Sequence, residues 1–131
     1  MHARVARLAT IGADRRPHIV PVCFAFADGQ VCTAVDRKPK TTSALRRFAN
    51  VRAGGTASLL VDHYDEDWSQ LWWVRVDCAA RVVDHGADLE RVIDALREKY
   101  RGQYGHSPPS GPAIVLYPEH WVGWSAAERS D

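Results

Sequence analysis

Three cations and two hydroxyls fall within six residues of this chain: Arg37, Lys38, Lys40, Thr41 and Thr42, with Pro39 among them. A short apolar run precedes them and a helical pattern follows. The first turn of a helix has unpaired backbone N–H groups and the positive end of the helix dipole. Cationic side chains added at such a start make an anion site, above all for phosphate. Pro39 offers no N–H and biases Lys38 toward extended backbone. Thr41 or Thr42 suits the N-cap. The stretch reads as a strand-to-helix corner able to hold a phosphate, with a merely solvated basic corner as the alternative. Lysine occurs elsewhere only at Lys99, and the other 14 of the 17 basic residues are arginines.

Trp72, Trp73 and Arg75 form the second group. Neighbours on a strand point to opposite faces, so at most one of the two Trp side chains enters its own core. The other must meet a partner, a ligand or water, and an interface is the better reading for so large an apolar group. Two Trp in one large core is the alternative. Arg75 shares a face with Trp73 and is expected to pair either with an anionic ligand or with Asp62, Asp65 or Glu66. Tyr64 and Trp68 flank the acidic turn Asp65-Glu66-Asp67, where they pack the hairpin or line a substrate. Trp121 and Trp124 are expected to pack the end of the fold.

Composition limits the remaining chemistry. The 17 basic and 16 acidic residues leave a net charge of +1, which argues against a general nucleic-acid surface. Three cysteines with no CxxC spacing signal neither a disulfide framework nor a zinc knuckle, and are expected to be reduced and mostly buried. The six histidines form no HxH or HxxxH pattern, so no metal is expected; only His63, near Asp62 and Asp65, is crowded. No Ser–His–Asp or Cys–His set is visible, and no catalytic residue is assigned. No apolar run spans a membrane and no signal pattern opens the chain, so a soluble, cytoplasmic protein is expected.

The elements that must position these residues follow from periodicity. Residues 4–11 alternate as a strand, and His18 to Ala27 reads as one long apolar strand in which Pro21 demands an edge, a bulge or a break. Asp28-Gly29 is a strong hairpin turn into Gln30–Val35, making a three-strand meander. A helix is expected over about Thr41–Asn50, ended by Gly54-Gly55, then strands at Thr56–Asp62 and Leu71–Val83. A second helix runs from Asp88 to Tyr104, and a final strand from Ala113 to Trp124 is interrupted near Pro118. This makes one domain over residues 1–131, mainly β (α+β): a six-stranded antiparallel barrel with two helices, closed to dispose of its edges.

The segments Arg7-Leu8-Ala9-Thr10, Pro17 to Val22, Val35 to Lys40, Asp65 to Trp68 and Leu71 to Arg75 together resemble the pyridoxamine-phosphate-oxidase-like split β-barrel superfamily. Within it, the chain is similar to the actinobacterial oxidoreductases that use the deazaflavin coenzyme F420, over roughly Arg4 to Trp124. It departs from them at the start, where a helix usually precedes the first strand. The resemblance implies a homodimer with two sites at the subunit interface. It implies cofactor phosphate near Arg37, Lys38, Lys40, Thr41 and Thr42, and Ile19, Val20, Pro21 and Val22 beside the deazaflavin ring. Trp72, Trp73 and Arg75 would come from the long strand, either from the same subunit or from the other. The implied activity is hydride transfer from reduced F420 to an unsaturated or quinone-like small molecule. The alternatives are an FMN-binding oxidoreductase of the same fold and a non-catalytic F420- or tetrapyrrole-binding protein.

Overall fold

A computed structural model describes residues 3–34, 42–104, 109 and 111–127, with the backbone alone for residues 42–45. Seven strands form one antiparallel sheet: β1 (Ala6–Ile11), β2 (Pro17–Val22), β3 (Ala25–Ala27), β4 (Gln30–Ala34), β5 (Thr56–His63), β6 (Trp72–Val83) and β7 (Ala113–Ser125). Their order is β2-β1-β5-β6-β7-β4-β3. Three helices accompany them: α1 (Thr42–Gly54), α2 (Gly86–Lys99) and the single turn α3 (Arg101–Tyr104).

Seven strands replace the expected six because His18 to Ala27 is not one strand. It breaks at Cys23 and Phe24 into β2 and β3, which lie at opposite ends of the sheet order. The expected meander is corrected with it: β2 pairs with β1, whereas β4 pairs with β3 and β7. Three residue steps span at most about 11 Å, so Val22 and Ala25 bring the two ends of the sheet together. The sheet must therefore curl into a half-barrel. Pro21 sits on the outermost strand, where its missing N–H costs no interior hydrogen bond.

The inner face encloses Ala6, Leu8, Val22, Phe24, Val31, Leu59, Val61, Val76, Cys78, Ile114 and Leu116. Phe48 and Val51 of α1 plug this core, and the Asn50 side-chain amide donates to the buried Thr10 hydroxyl at 3.0 Å. α1 runs four residues past the expected Asn50 and stops at Gly55, whose positive φ of 66° lets its N–H return to the Val51 carbonyl at 2.8 Å.

α2 covers only part of the outer face. Val92, Leu96 and Tyr100 pack on Ala25, Cys32, Val83, Ala113 and Val115 of β3, β4, the end of β6 and the start of β7. Each fully buried side chain of this size contributes about 1.5–3 kcal/mol. The end of α2 also pins the β2-to-β3 corner. The Tyr100 hydroxyl receives the Phe24 N–H at 3.2 Å and lies 3.1 Å from the Phe24 carbonyl and 2.7 Å from that of Arg4. The Lys99 ammonium donates to the Phe24 carbonyl at 2.8 Å and sits 3.5 Å above the Phe24 ring. The expected single second helix is interrupted at Tyr100, whose φ of −115° and ψ of 49° leave the helical region.

Candidate functional site

No helix of the described residues lies over the rest of the outer face, and it is where the chemistry-bearing side chains gather. Alternation sends Arg7 and Ala9 of β1, Ser58, Leu60 and Asp62 of β5, Trp73 and Arg75 of β6, and Ile19 of β2 to this side. They line an open groove of about 430 Å³. Strand register orders it into rows. Pro21, Arg7, Leu60, Arg75 and Val122 face one another across five strands. Beside them run Ile19, Ala9, Ser58, Asp77 and His120 on one flank, and Asp62, Trp73 and Trp124 on the other.

The charges in the groove are paired. Arg7 Nη1 donates to Asp62 at 2.7 Å. Arg75 grips Asp77 with Nε at 3.0 Å and Nη2 at 3.3 Å, and the Ser58 hydroxyl donates to the same carboxylate at 2.7 Å. The Ser58 hydrogen bond, and after it Arg75, holds the Asp77 carboxyl below its ordinary range. Two arginines and two aspartates cancel, so the floor is polar, apolar at Leu60, Ala9 and Ile19, and without net charge. Such a surface suits a flat, largely neutral heterocycle with hydrogen-bonding edges.

Of the residues expected to hold a cofactor, the groove collects Ile19, Trp73 and Arg75, with Pro21 on the same face of β2. Val20 and Val22 turn inward: Val22 is in the core and Val20 packs against it. Trp72 also turns inward, as its adjacency to Trp73 requires. It packs against the core and stacks on His63, the ring centroids 6.0 Å apart. Thr42 opens α1. Arg37, Lys38, Lys40 and Thr41, and the Thr42 side chain, lie outside the described residues.

Several expectations need correction. Arg75 pairs with Asp77, not with Asp62, Asp65 or Glu66. The signal was present as two residues two apart on one strand face. Trp121 does face the barrel interior, beside Phe24, Leu59 and Val76, but Trp124 lies on the outer face opposite Trp73, and the two are 53% and 48% exposed. Tyr64 and Trp68 meet each other at the hairpin without entering a core: both are largely exposed, and the Trp68 indole N–H meets the Tyr64 oxygen at 3.4 Å. The sequence reading missed Arg7, Ser58, Leu60 and Asp62, because only strand pairing brings them to Trp73. Away from the groove, α1 carries Arg46, Arg47 and Arg52 and no acid. Burial, then Arg46 and Arg47, pushes the His18 imidazole below its usual pKa, so it is neutral at pH 7. Among the described residues, no three His, Cys, Asp or Glu side chains converge as a metal site, and no helix is long and apolar enough to cross a membrane.

The family profile described as pyridoxamine 5'-phosphate oxidase matches residues 2–125. The chain belongs to that family. No curated protein sequence matches it. Solved structures similar to this family member share its fold at low identity. A conserved hypothetical protein of Mycobacterium tuberculosis is 22% identical, with a TM-score of 0.74, over 95% of this chain and 78% of that one. HutZ, a heme storage protein of Vibrio cholerae, is 15% identical, with a TM-score of 0.68, over 93% and 85%. An FAD-binding protein of Mycobacterium smegmatis is 21% identical, with a TM-score of 0.60, over 93% and 85%. Of these proteins of the same fold, one is thus described as binding FAD and another as storing heme.

Proposed function

We propose that this protein is a coenzyme F420-dependent reductase that passes a hydride from the reduced deazaflavin to an unsaturated or quinone-like small molecule. The observation that carries the reading is the groove itself. A cavity of about 430 Å³ lies where Ile19, Trp73 and Arg75, three of the residues expected to hold the cofactor, come together. Its apolar floor and Trp73 supply flat walls for a planar ring. The coenzyme brings the hydride chemistry when bound. The chain's part is to bind, orient and exclude water. Arg37, Lys38, Lys40, Thr41 and Thr42 would take the phosphate at the start of α1.

The groove is open to solvent, and we assign its roof to a second copy of the chain. The bare half of the outer face carries Ile19, 65% exposed, and Trp124. Exposed apolar groups of this size on one face favour an interface. Two copies meeting there would each complete the other's groove, and their shared walls would shape the acceptor site.

A fluorescence titration with oxidised F420, with FMN run beside it, tests the reading. Micromolar or tighter F420 binding with weak FMN binding is expected. Replacing Lys38 and Lys40 together by Ala should weaken F420 binding about tenfold or more, the worth of a lost charged hydrogen bond. Preference for FMN would move the protein to the flavin branch of its family. Tight F420 binding with no acceptor reduced across a broad panel would make it a carrier.

A further inference from the structure

We infer that Arg7 and Arg75, one on each side of Leu60, read the two polar ends of a flat three-ring ligand. By the one that meets the hydroxyl the groove selects a deazaflavin with an acidic hydroxyl on its outer ring over FMN, while the other holds the imide end that both share. The inference rests on the function proposed above and names the feature that separates its two cofactors.

The register places Arg7 opposite Leu60 and Leu60 opposite Arg75. Two strand spacings set the Cα atoms of the arginines roughly 9.5 Å apart, and their side chains lean to opposite flanks, Arg7 toward Asp62 and Arg75 toward Asp77, which puts the two guanidinium groups at opposite corners of the floor. Leu60 lies between them as an apolar floor, with Ala9 and Ile19 on one flank and Trp73 on the other. A guanidinium has five N–H donors. Asp77 uses the Nε and Nη2 donors of Arg75, and no described residue takes Nη1. Asp62 takes one donor from Arg7 Nη1, and no described residue takes Nε or Nη2. Each arginine is thus anchored by a carboxylate and still has N–H groups to give. Ser58 fixes Asp77, so Arg75 is the more tightly positioned of the two.

The aspartates cancel the net charge, so the row has little pull on a free phosphate. It retains directional donors at both ends. The imide carbonyls of a flavin-type ring suit one end. The hydroxyl of a deazaflavin, readily ionised to a delocalised anion, suits the other. FMN carries two methyl groups there. Once the groove is roofed, those methyls would leave guanidinium donors without partners, and a site built to hydrogen-bond a polar group strongly rejects the analogue that lacks it.

The test compares oxidised F420 and FMN affinities for the wild type, Arg7→Gln and Arg75→Gln, with a spectrophotometric pH titration of the hydroxyl of bound F420. Among the described residues, the charged and titratable groups facing the groove are Arg7, Asp62, Arg75, Asp77 and His120, so His120→Ala is the control for the titration. Replacing the arginine at the hydroxyl end should cost about tenfold or more in F420 affinity and less than about threefold in FMN affinity, whereas replacing the one at the imide end, which both ligands share, should weaken the two about equally. One of the two should also raise the pKa of the bound hydroxyl, and His120→Ala should not. If the wild type binds F420 and both variants bind it equally well with an unchanged titration, the arginines only tie strands together and the inference fails. If the wild type itself does not bind F420, the functional proposal fails first and the inference falls with it.

Discussion

The outer face of one sheet has two halves with opposite fates. Under α2, β7 presents Ala113 and Val115, both buried, beside Cys32 and Ala25. Beyond Pro118 the same strand presents Val122 and Trp124 to the bare half, beside Arg75 and Trp73. A bulge separates them: Cys78 pairs with Pro118 but Asp77 with His120, leaving Glu119 as the extra residue. Small and β-branched residues fill the half that a helix closes permanently. Paired charges and large aromatics occupy the half that stays open. A face meant for solvent would not spend Trp73, Trp124 and Ile19 on water. A face meant for a permanent core would not hold two ion pairs. The contrast sets a half that stabilises the fold beside the half to which the proposed function assigns recognition.

The sharpest way to break that contrast is on the covered side. Leu96→Ala should cost about 2–5 kcal/mol, the usual range for an emptied buried leucine site, read by urea unfolding. Tyr100→Phe should cost about 1–3 kcal/mol, because the Phe24 amide loses its partner at the corner where the sheet edges meet. On the bare side, Trp73→Ala should alter stability by less than about 1 kcal/mol yet turn a dimer into monomers by sedimentation at micromolar concentration. A fall in stability as large as that of Leu96→Ala would show that the bare half is core after all. Thiol chemistry sharpens the same division. Burial pushes the Cys32 and Cys78 thiols up to about 11, so both stay protonated well above neutrality. At pH 8 a thiol reagent should label Cys23, which is exposed, and reach the other two only on unfolding. The smallest effect belongs to Arg7→Gln, within about 0.5–1 kcal/mol of wild-type stability, since its ion pair with Asp62 is half-exposed.

What the sequence disclosed follows from how local each feature is. The Asp28-Gly29 turn, with both residues at positive φ, and the close of the helical segment at Gly54-Gly55 are set by a few neighbouring residues and were legible, although α1 runs past the expected Asn50 and the interruption expected near Pro118 is a bulge within one continuous β7. The opposite facing of Trp72 and Trp73 follows from strand alternation alone. The break at Cys23 and Phe24 was legible only as one of three readings of Pro21, an edge, a bulge or a break. Its place, just after the proline, is held from 76 positions away by Tyr100. The site divides the same way. Trp73 and Arg75 announced themselves by type and spacing. Arg7, Ser58 and Asp62 join them only through pairing between β1, β5 and β6, which no local pattern encodes.

The central claim is that the bare half of the outer face is where the coenzyme lies. Its most direct test is a titration of oxidised F420 into Trp73→Ala beside the wild type, with the two unfolding curves measured in parallel. The expected result is an affinity about tenfold weaker in the variant, in line with the removal of an aromatic anchor, at nearly unchanged stability. Equal affinity for the two proteins would contradict the account and move the ligand off this face.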